Sequence, residues 1–284
     1  DSPQMILLIC LSVLLLPAFL LIELRSSEPI LPLDLFRNHT FSLTSAIGFI
    51  VGFALFGAVT YLPLYLQVTK GSSPTVSGLQ LTPLMGGVLI TSITSGQLIT
   101  RMGRYRMFPI AGTALMVVAM FLLSRLEVGT SVWIAAVYAF ILGLGLGMVM
   151  QVLVLAVQNA VDHSVMGVAT SGSTLFRQIG GSIGVALFGT IFANREHVEL
   201  AKRLPKGANI PKAINPEGIK HLPAHAHAAF ADAFAVALHP VFLTAAGISL
   251  FAFVLTWFLR EVPLRTHPHV GEGVEPPRAA EVVT

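Results

Sequence analysis

Residues 174–192 read TLFRQIGGSIGVALFGTIF, an arginine and a glutamine at the head of an almost unbroken apolar run. A run of this kind is at home in lipid, whereas a charge at the centre of a bilayer costs about 3 kcal/mol or more and is rare there without a role. The rest of the chain points to the same solvent. Of its 284 residues 54% are hydrophobic and only 11% charged, and mean hydropathy is +0.79, whereas a soluble domain carries about a quarter of charged residues. The single cysteine, Cys10, excludes a disulfide framework within the chain, and no cysteine pair marks a metal site. The formal charge of +3 is small and scattered, which argues against nucleic acid as a partner. Residue 1 is Asp, and an apolar segment follows within five residues with no charged region ahead of it, unlike a signal peptide. The chain is expected to be the C-terminal portion of something longer.

Seven stretches have the length a bilayer demands: 5–24, 42–67, 76–99, 107–124, 131–157, 166–193 and 238–259. The breaks between them carry loop punctuation, as in RSSEPILPLDLFRNHT, TKGSSP and TRMGRYRM. A polar insert, 194–237, separates the last two spans and is expected to be an exposed loop, and the tail 262–284 to be disordered. Alternating the loops divides the flanking Lys and Arg eight against eight. Short loops weigh most, and there the count is five against two, which puts the RMGRYR loop and the tail in the cytoplasm and the insert outside.

Glycines four apart allow helices to approach closely in lipid, and three such pairs occur: Gly48 and Gly52, Gly143 and Gly147, Gly180 and Gly184. In the sixth span Thr170, Ser173, Thr174, Arg177, Gly180, Gly181 and Gly184 share one face of a 3.6-residue repeat. A stripe of hydroxyls and glycines faces protein or a watery cavity. Alternatively Arg177 lies at the membrane boundary and snorkels to the headgroups. In the fifth span Gly143, Gly147, Gln151 and Gln158 align, so two amides lie on the close-packing face, either bonded across helices or lining a pathway.

The segment GQLITRMGRYR, 96–106, resembles the loop signature of the major facilitator superfamily, with Gly96, Leu98, Arg101, Gly103, Arg104 and Arg106 at matching positions. Thr100 stands where the family carries an acid and Tyr105 where it carries a base. The stretches EPILPLDLFRNHTFSL, YLPLYLQ, GLQLTPLMGG, GLGLG and LFRQIGGSIGVALFGTIF, in this order, resemble the fourteen-helix drug:proton antiporter branch of the EmrB/QacA type, over about 5–261. Independently of the family, a short loop with three arginines can hold helix C-terminal carbonyls and latch one conformation of a rocking bundle, and Gly103 permits its turn. A plain positive-inside anchor explains the arginines as well.

The resemblance implies an all-α membrane protein with seven transmembrane helices. Residues 1–24 form an extra central helix, 25–41 a cytoplasmic linker and 42–261 a C-terminal six-helix bundle. It places Arg177, Gln178, Gln151, Gln158, Tyr61, Tyr65 and Gln67 on helices around a substrate cavity or domain interface. It implies multidrug efflux from the cytoplasmic membrane, with the proton gradient as energy source, no cofactor, and the missing N-terminal half as partner. No carboxylate lies inside an expected span, so proton coupling is not argued from this chain. Three other readings stand beside it: a superfamily member moving one specific metabolite, a non-transporting scaffold, and a membrane protein with a metal site at His221, His225, His227 and Asp232. Pro223 breaks the helical register of that histidine cluster and no cysteine completes it. Motifs of the common hydrolases and nucleotide-binding loops are absent, which leaves no enzyme reading.

Overall fold

The computed structural model describes residues 3–25, 33–203 and 224–261. Among the described residues eight α-helices follow one another: α1 Pro3–Arg25, α2 His39–Lys70, α3 Pro74–Leu79, α4 Thr82–Met102, α5 Met107–Leu123, α6 Val132–Ala160, α7 Met166–Arg203 and α8 Ala224–Thr256. A 3-10 turn, Leu33–Arg37, precedes α2, and a second, His163–Val165, precedes α7.

Seven transmembrane helices with a distinct six-helix bundle are not what the structure shows. Five segments among the described residues are long and apolar enough to cross a membrane: His39–Lys70, Pro74–Met102, Val132–Ala160, His163–Arg203 and Ala228–Thr256. The expected span at 107–124 is α5, a 17-residue helix. At 1.5 Å per residue it is about 26 Å long, short of a ~30 Å hydrocarbon core. The expected first span is the helix α1, which is not among the five. The fold is an all-α, multi-pass membrane fold with about five apolar membrane-spanning helices.

The chain also departs from its expected boundaries at the polar insert. Residues 194–203 continue α7, and α8 begins at Ala224, so both flanks of the 194–237 stretch are helical. Arg195, Lys202 and Arg203 all pair with Glu199, three or four residues away, which is the spacing that stabilises a helix face. The 204–223 segment, the 262–284 tail and the side chains of His221, His225 and His227 lie outside the described residues.

Side-chain caps and glycines set the ends. Asn38 accepts the N–H groups of Thr40 and Phe41, at 2.9 and 3.2 Å, and so caps α2. Its amide donates to the Ala160 carbonyl at 2.7 Å and ties the start of α2 to the end of α6. At the opposite end, Gly71 closes α2 with φ +65°, and Lys70 donates to the Val128 carbonyl at 2.6 Å. These contacts define an Asn38 end and a Lys70 end.

Two helix pairs run parallel, in opposite senses. In the first, Phe49, Phe53 and Gly57 on α2 meet Gly180, Gly184 and Phe188 on α7, both helices starting at the Asn38 end. In the second, Leu84 and Val88 on α4 meet Gly143 and Gly147 on α6, both starting at the Lys70 end. Helices α5 and α8 pack on each other and on α6 and α2 respectively. The most buried spans, α2 and α6, hold the core, in which Ile47, Leu62, Tyr65, Met116, Leu146 and Phe242 are fully or nearly fully buried. Lipid tails are as apolar as these side chains, so close packing rather than water exclusion selects the arrangement. Trp133, 82% exposed at the start of α6, and the exposed Trp257 beyond α8 mark opposite ends, where amphipathic rings sit at headgroup level.

Candidate functional site

The polar stripe of α7 begins just inside the Asn38 end. Thr170 and Thr174 turn their hydroxyls back to the carbonyls of Met166 and Thr170, which is how hydroxyls are satisfied within an apolar helix. Beyond them the stripe lies directly on α2. A Cβ at Gly180 would overlap the Phe49 carbonyl, one at Gly181 the Phe56 ring, and one at Gly184 would lie 2.7 Å from the Phe53 carbonyl oxygen. A Cβ at Gly52 would in turn overlap the Arg177 carbonyl and crowd its Cγ, so the Arg177 stem rests against α2.

The guanidinium of Arg177 is half-buried, and no residue among those described pairs with it. Gln178, its neighbour, is exposed, as are Leu175, Ile179 and Ile183.

Across the fold, Gly143 abuts the Leu84 carbonyl and Gly147 the Val88 carbonyl and Thr91 hydroxyl, which brings α4 and α6 to backbone contact. Ser92 donates to the Gly147 carbonyl at 3.3 Å. One turn beyond Gly147, Gln151 is exposed, and Gln158 further along is half-buried. Gln158 borders an open cleft of about 730 Å³ at the Asn38 end, together with His163, Met166, Thr170, Ser171 and Thr174. The cleft therefore joins the end of α6 to the polar start of α7, one helical turn from Arg177.

The three α2 residues expected near a cavity are engaged within the chain. Tyr61 is buried with its ring 5.6 Å from Phe192. Tyr65 is fully buried, and its hydroxyl donates to the Glu127 carbonyl at 2.6 Å. Gln67 donates to the Ser77 hydroxyl at 2.9 Å and fastens α3 to α2. All three belong to the Lys70 end, away from the cleft.

The basic loop occupies the Asn38 end. Gly103 takes φ +69°, a left-handed conformation costing an L side chain roughly 1–2 kcal/mol, and its N–H caps α4 on the Ile99 carbonyl at 2.8 Å. Arg101 and Arg104 are exposed, and a Cβ at Gly96 would meet nothing. Arg106 donates to the Trp257 carbonyl. Tyr105, which departs from the family signature, is fully buried and donates to the Arg260 carbonyl at 3.0 Å. Two neighbouring loop side chains therefore hold the end of α8. Replacing Tyr105 by Phe keeps the ring and removes this bond, so thermal unfolding in detergent is expected to show a loss of about 1 kcal/mol. An unchanged melting curve would show that the ring alone fastens the loop.

Sequence reasoning missed two groups of residues. The first is the ion cluster at the Lys70 end, where the buried Glu199 receives Arg195, Lys202 and Arg203, and Arg203 also reaches Asp232 of α8 at 2.8 Å. Its i, i+3 and i, i+4 spacing was a readable signal. The second is a pair of hydroxyls on the seam between α2 and α7. Ser45 and Ser173 bury their oxygens without any hydrogen-bond partner. Nothing in the sequence separates them from the serines that are satisfied.

A multi-pass helical membrane protein, with glycine-backed parallel helix pairs, a basic glycine-turn loop and a polar start to one span, is the class these features define. The Major Facilitator Superfamily model matches residues 5–185, and the chain belongs to that family. An uncharacterised MFS-type transporter of Mycobacterium tuberculosis is 40% identical over 92% of this chain, which spans 39% of that relative. The tetracycline resistance determinant of Streptomyces rimosus is 33% identical over 94% of this chain and 85% of its own length. Among solved structures, a bacterial homologue of the human lysosomal transporter Spinster, inward-facing and unoccupied, matches with a TM-score of 0.60 at 16% identity. That match covers 81% of this chain and 51% of the other, and supports the fold.

Proposed function

We propose that this chain is part of a transporter that exports amphipathic small molecules across the cytoplasmic membrane by alternating access, with the proton gradient as its energy source. The observation that carries the proposal is Arg177, a half-buried cation within a span with no partner among the described residues, one turn from an open cleft bordered by Gln158 and His163. Intramembrane charges of this kind mark substrate or ion pathways. Gln158 at the cleft and the exposed Gln151 and Gln178 extend the polar surface along α6 and α7. The relation to the tetracycline resistance determinant supports export of drug-like molecules. The resemblance to the fourteen-helix drug:proton antiporters supports assigning the chain to the C-terminal portion of such a protein, with the N-terminal half as its partner. In this reading the loop of Arg101, Gly103, Arg104 and Arg106 is cytoplasmic and latches one conformation of the cycle.

The test is transport by the full polypeptide carrying this chain, in everted membrane vesicles from an efflux-deficient bacterial host. Tetracycline and ethidium uptake are expected when a proton gradient is imposed and to stop on adding a protonophore. Uptake of neither compound would overturn the multidrug reading, and uptake indifferent to the protonophore would overturn proton coupling.

A further inference from the structure

The seam between α2 and α7 is rich in donors that have nothing to donate to. Ser45 is 3% exposed and its hydroxyl oxygen has no partner. The Ser173 hydroxyl oxygen is likewise buried and unpartnered. Arg177, one turn beyond Ser173, has no carboxylate, carbonyl or hydroxyl partner among the described residues.

Register brings these three groups to one stretch of the seam. Gly48 on α2 faces the Ser173 carbonyl, Gly52 faces the Arg177 carbonyl, and Ser45 lies one turn before Gly48. Side chains on a helix lean toward its N-terminus, so the Arg177 stem, held against Gly52, leads toward Ser173 and Thr174. Thr174 borders the cleft. The stem therefore leads toward the turn of α7 that borders the cleft.

Leaving buried hydroxyls unpaired costs free energy, and a half-buried guanidinium without a counter-charge adds to that cost. Neighbouring helices offer no compensation here. Thr170 and Thr174 spend their hydroxyls on backbone carbonyls, and the glycines of the seam bring no side chain. The guanidinium donates only, through a planar fork suited to two oxygens at once, and each hydroxyl has one O–H to donate beside it. The complementary ligand is an oxyanion.

We propose that the α2–α7 seam beside the cleft binds the carboxylate of an anionic amphiphile, with Arg177 as counter-charge and Ser173 and Ser45 as supporting donors. This rests on the transporter reading above and adds to it a site that favours molecules with an anionic head. The apolar body of such a ligand would lie along the exposed Leu175 and Ile179.

The experiment measures binding of two fluorescent probes with one apolar body, dansylated undecanoate and its trimethylammonium counterpart, to the full polypeptide in lipid nanodiscs. Wild type is expected to favour the carboxylate probe about tenfold or more, the scale of one charge-assisted bidentate contact. Arg177→Gln should bring the ratio close to one, and Arg177→Glu should reverse it. Ser173→Ala, which leaves the packing intact, should lower carboxylate affinity about two- to fivefold while keeping the preference.

Binding of both probes with no charge preference would overturn this inference and leave the transporter reading standing. An acidic residue elsewhere in the polypeptide that already neutralises Arg177 would give that result. Binding of neither probe would count against both. Unchanged carboxylate preference in Arg177→Gln, together with unchanged carboxylate affinity in Ser173→Ala, would place the anion elsewhere.

Discussion

Valine in place of Gly143 is expected to leave little folded protein in the membrane. The new side chain would start on top of the Leu84 carbonyl, a backbone group that no rotamer can move aside. Relief requires α4 and α6 to separate, which also costs Gly147 its contacts with Val88 and Thr91. Overpacking of this kind costs about 3 kcal/mol or more when backbone must yield. Gly96→Val is the matched control, because a Cβ there meets nothing and valine is a slightly better helix former than glycine. Membrane abundance and thermal unfolding in detergent will compare the two. Equal behaviour would show that the α4–α6 seam is looser than it stands here.

Arg177→Ala is expected to remove most export by the full polypeptide at normal membrane abundance, and Arg177→Lys to restore only part of it. A guanidinium presents a planar fork of donors, whereas an ammonium acts as a point charge on a flexible stem. A snorkelling anchor makes the opposite forecast, since both stems reach the headgroups. The stem position against Gly52, eleven residues into α7, weighs against an anchor. Efflux at matched expression decides between them, and full activity in the lysine variant would remove the directional role.

Much of the helical layout was legible because lipid imposes long apolar runs, and the polar punctuation between them survives in the sequence. The count of spans was not. A run of 17 apolar residues with loop signals on both sides reads as a span, although its length falls short of the hydrocarbon core. The end of α7 was missed for the opposite reason. Residues 194–203 look like loop by composition, yet Glu199 with its three basic neighbours makes a charged helix stable.

Side-chain engagement was less legible than layout. The hydroxyl of Tyr65 meets a loop carbonyl 62 positions away, and that of Tyr105 one 155 positions away. Such partners depend on how loops return across the bundle, which local periodicity does not encode. Spacing did pick out the glycines at 143, 147, 180 and 184, but not which carbonyls they touch. The unpaired hydroxyls of Ser45 and Ser173 had no local signal at all, because their partners are missing rather than placed.

The opposed directions of the parallel pairs have an electrical meaning. Helices α2, α5 and α7 start at the Asn38 end, and α4, α6 and α8 at the Lys70 end. Each helix carries the equivalent of roughly half a positive charge at its start and half a negative charge at its finish. Three of each sense largely cancel, so these six helices together present almost no dipole along their common axis. A membrane potential does about 2.3 kcal/mol of work per elementary charge per 100 mV, and on this backbone it finds little to act upon. The six helices can move together in the field at little electrical cost, and voltage sensitivity then falls to formal charges held inside the spans, of which Arg177 is one.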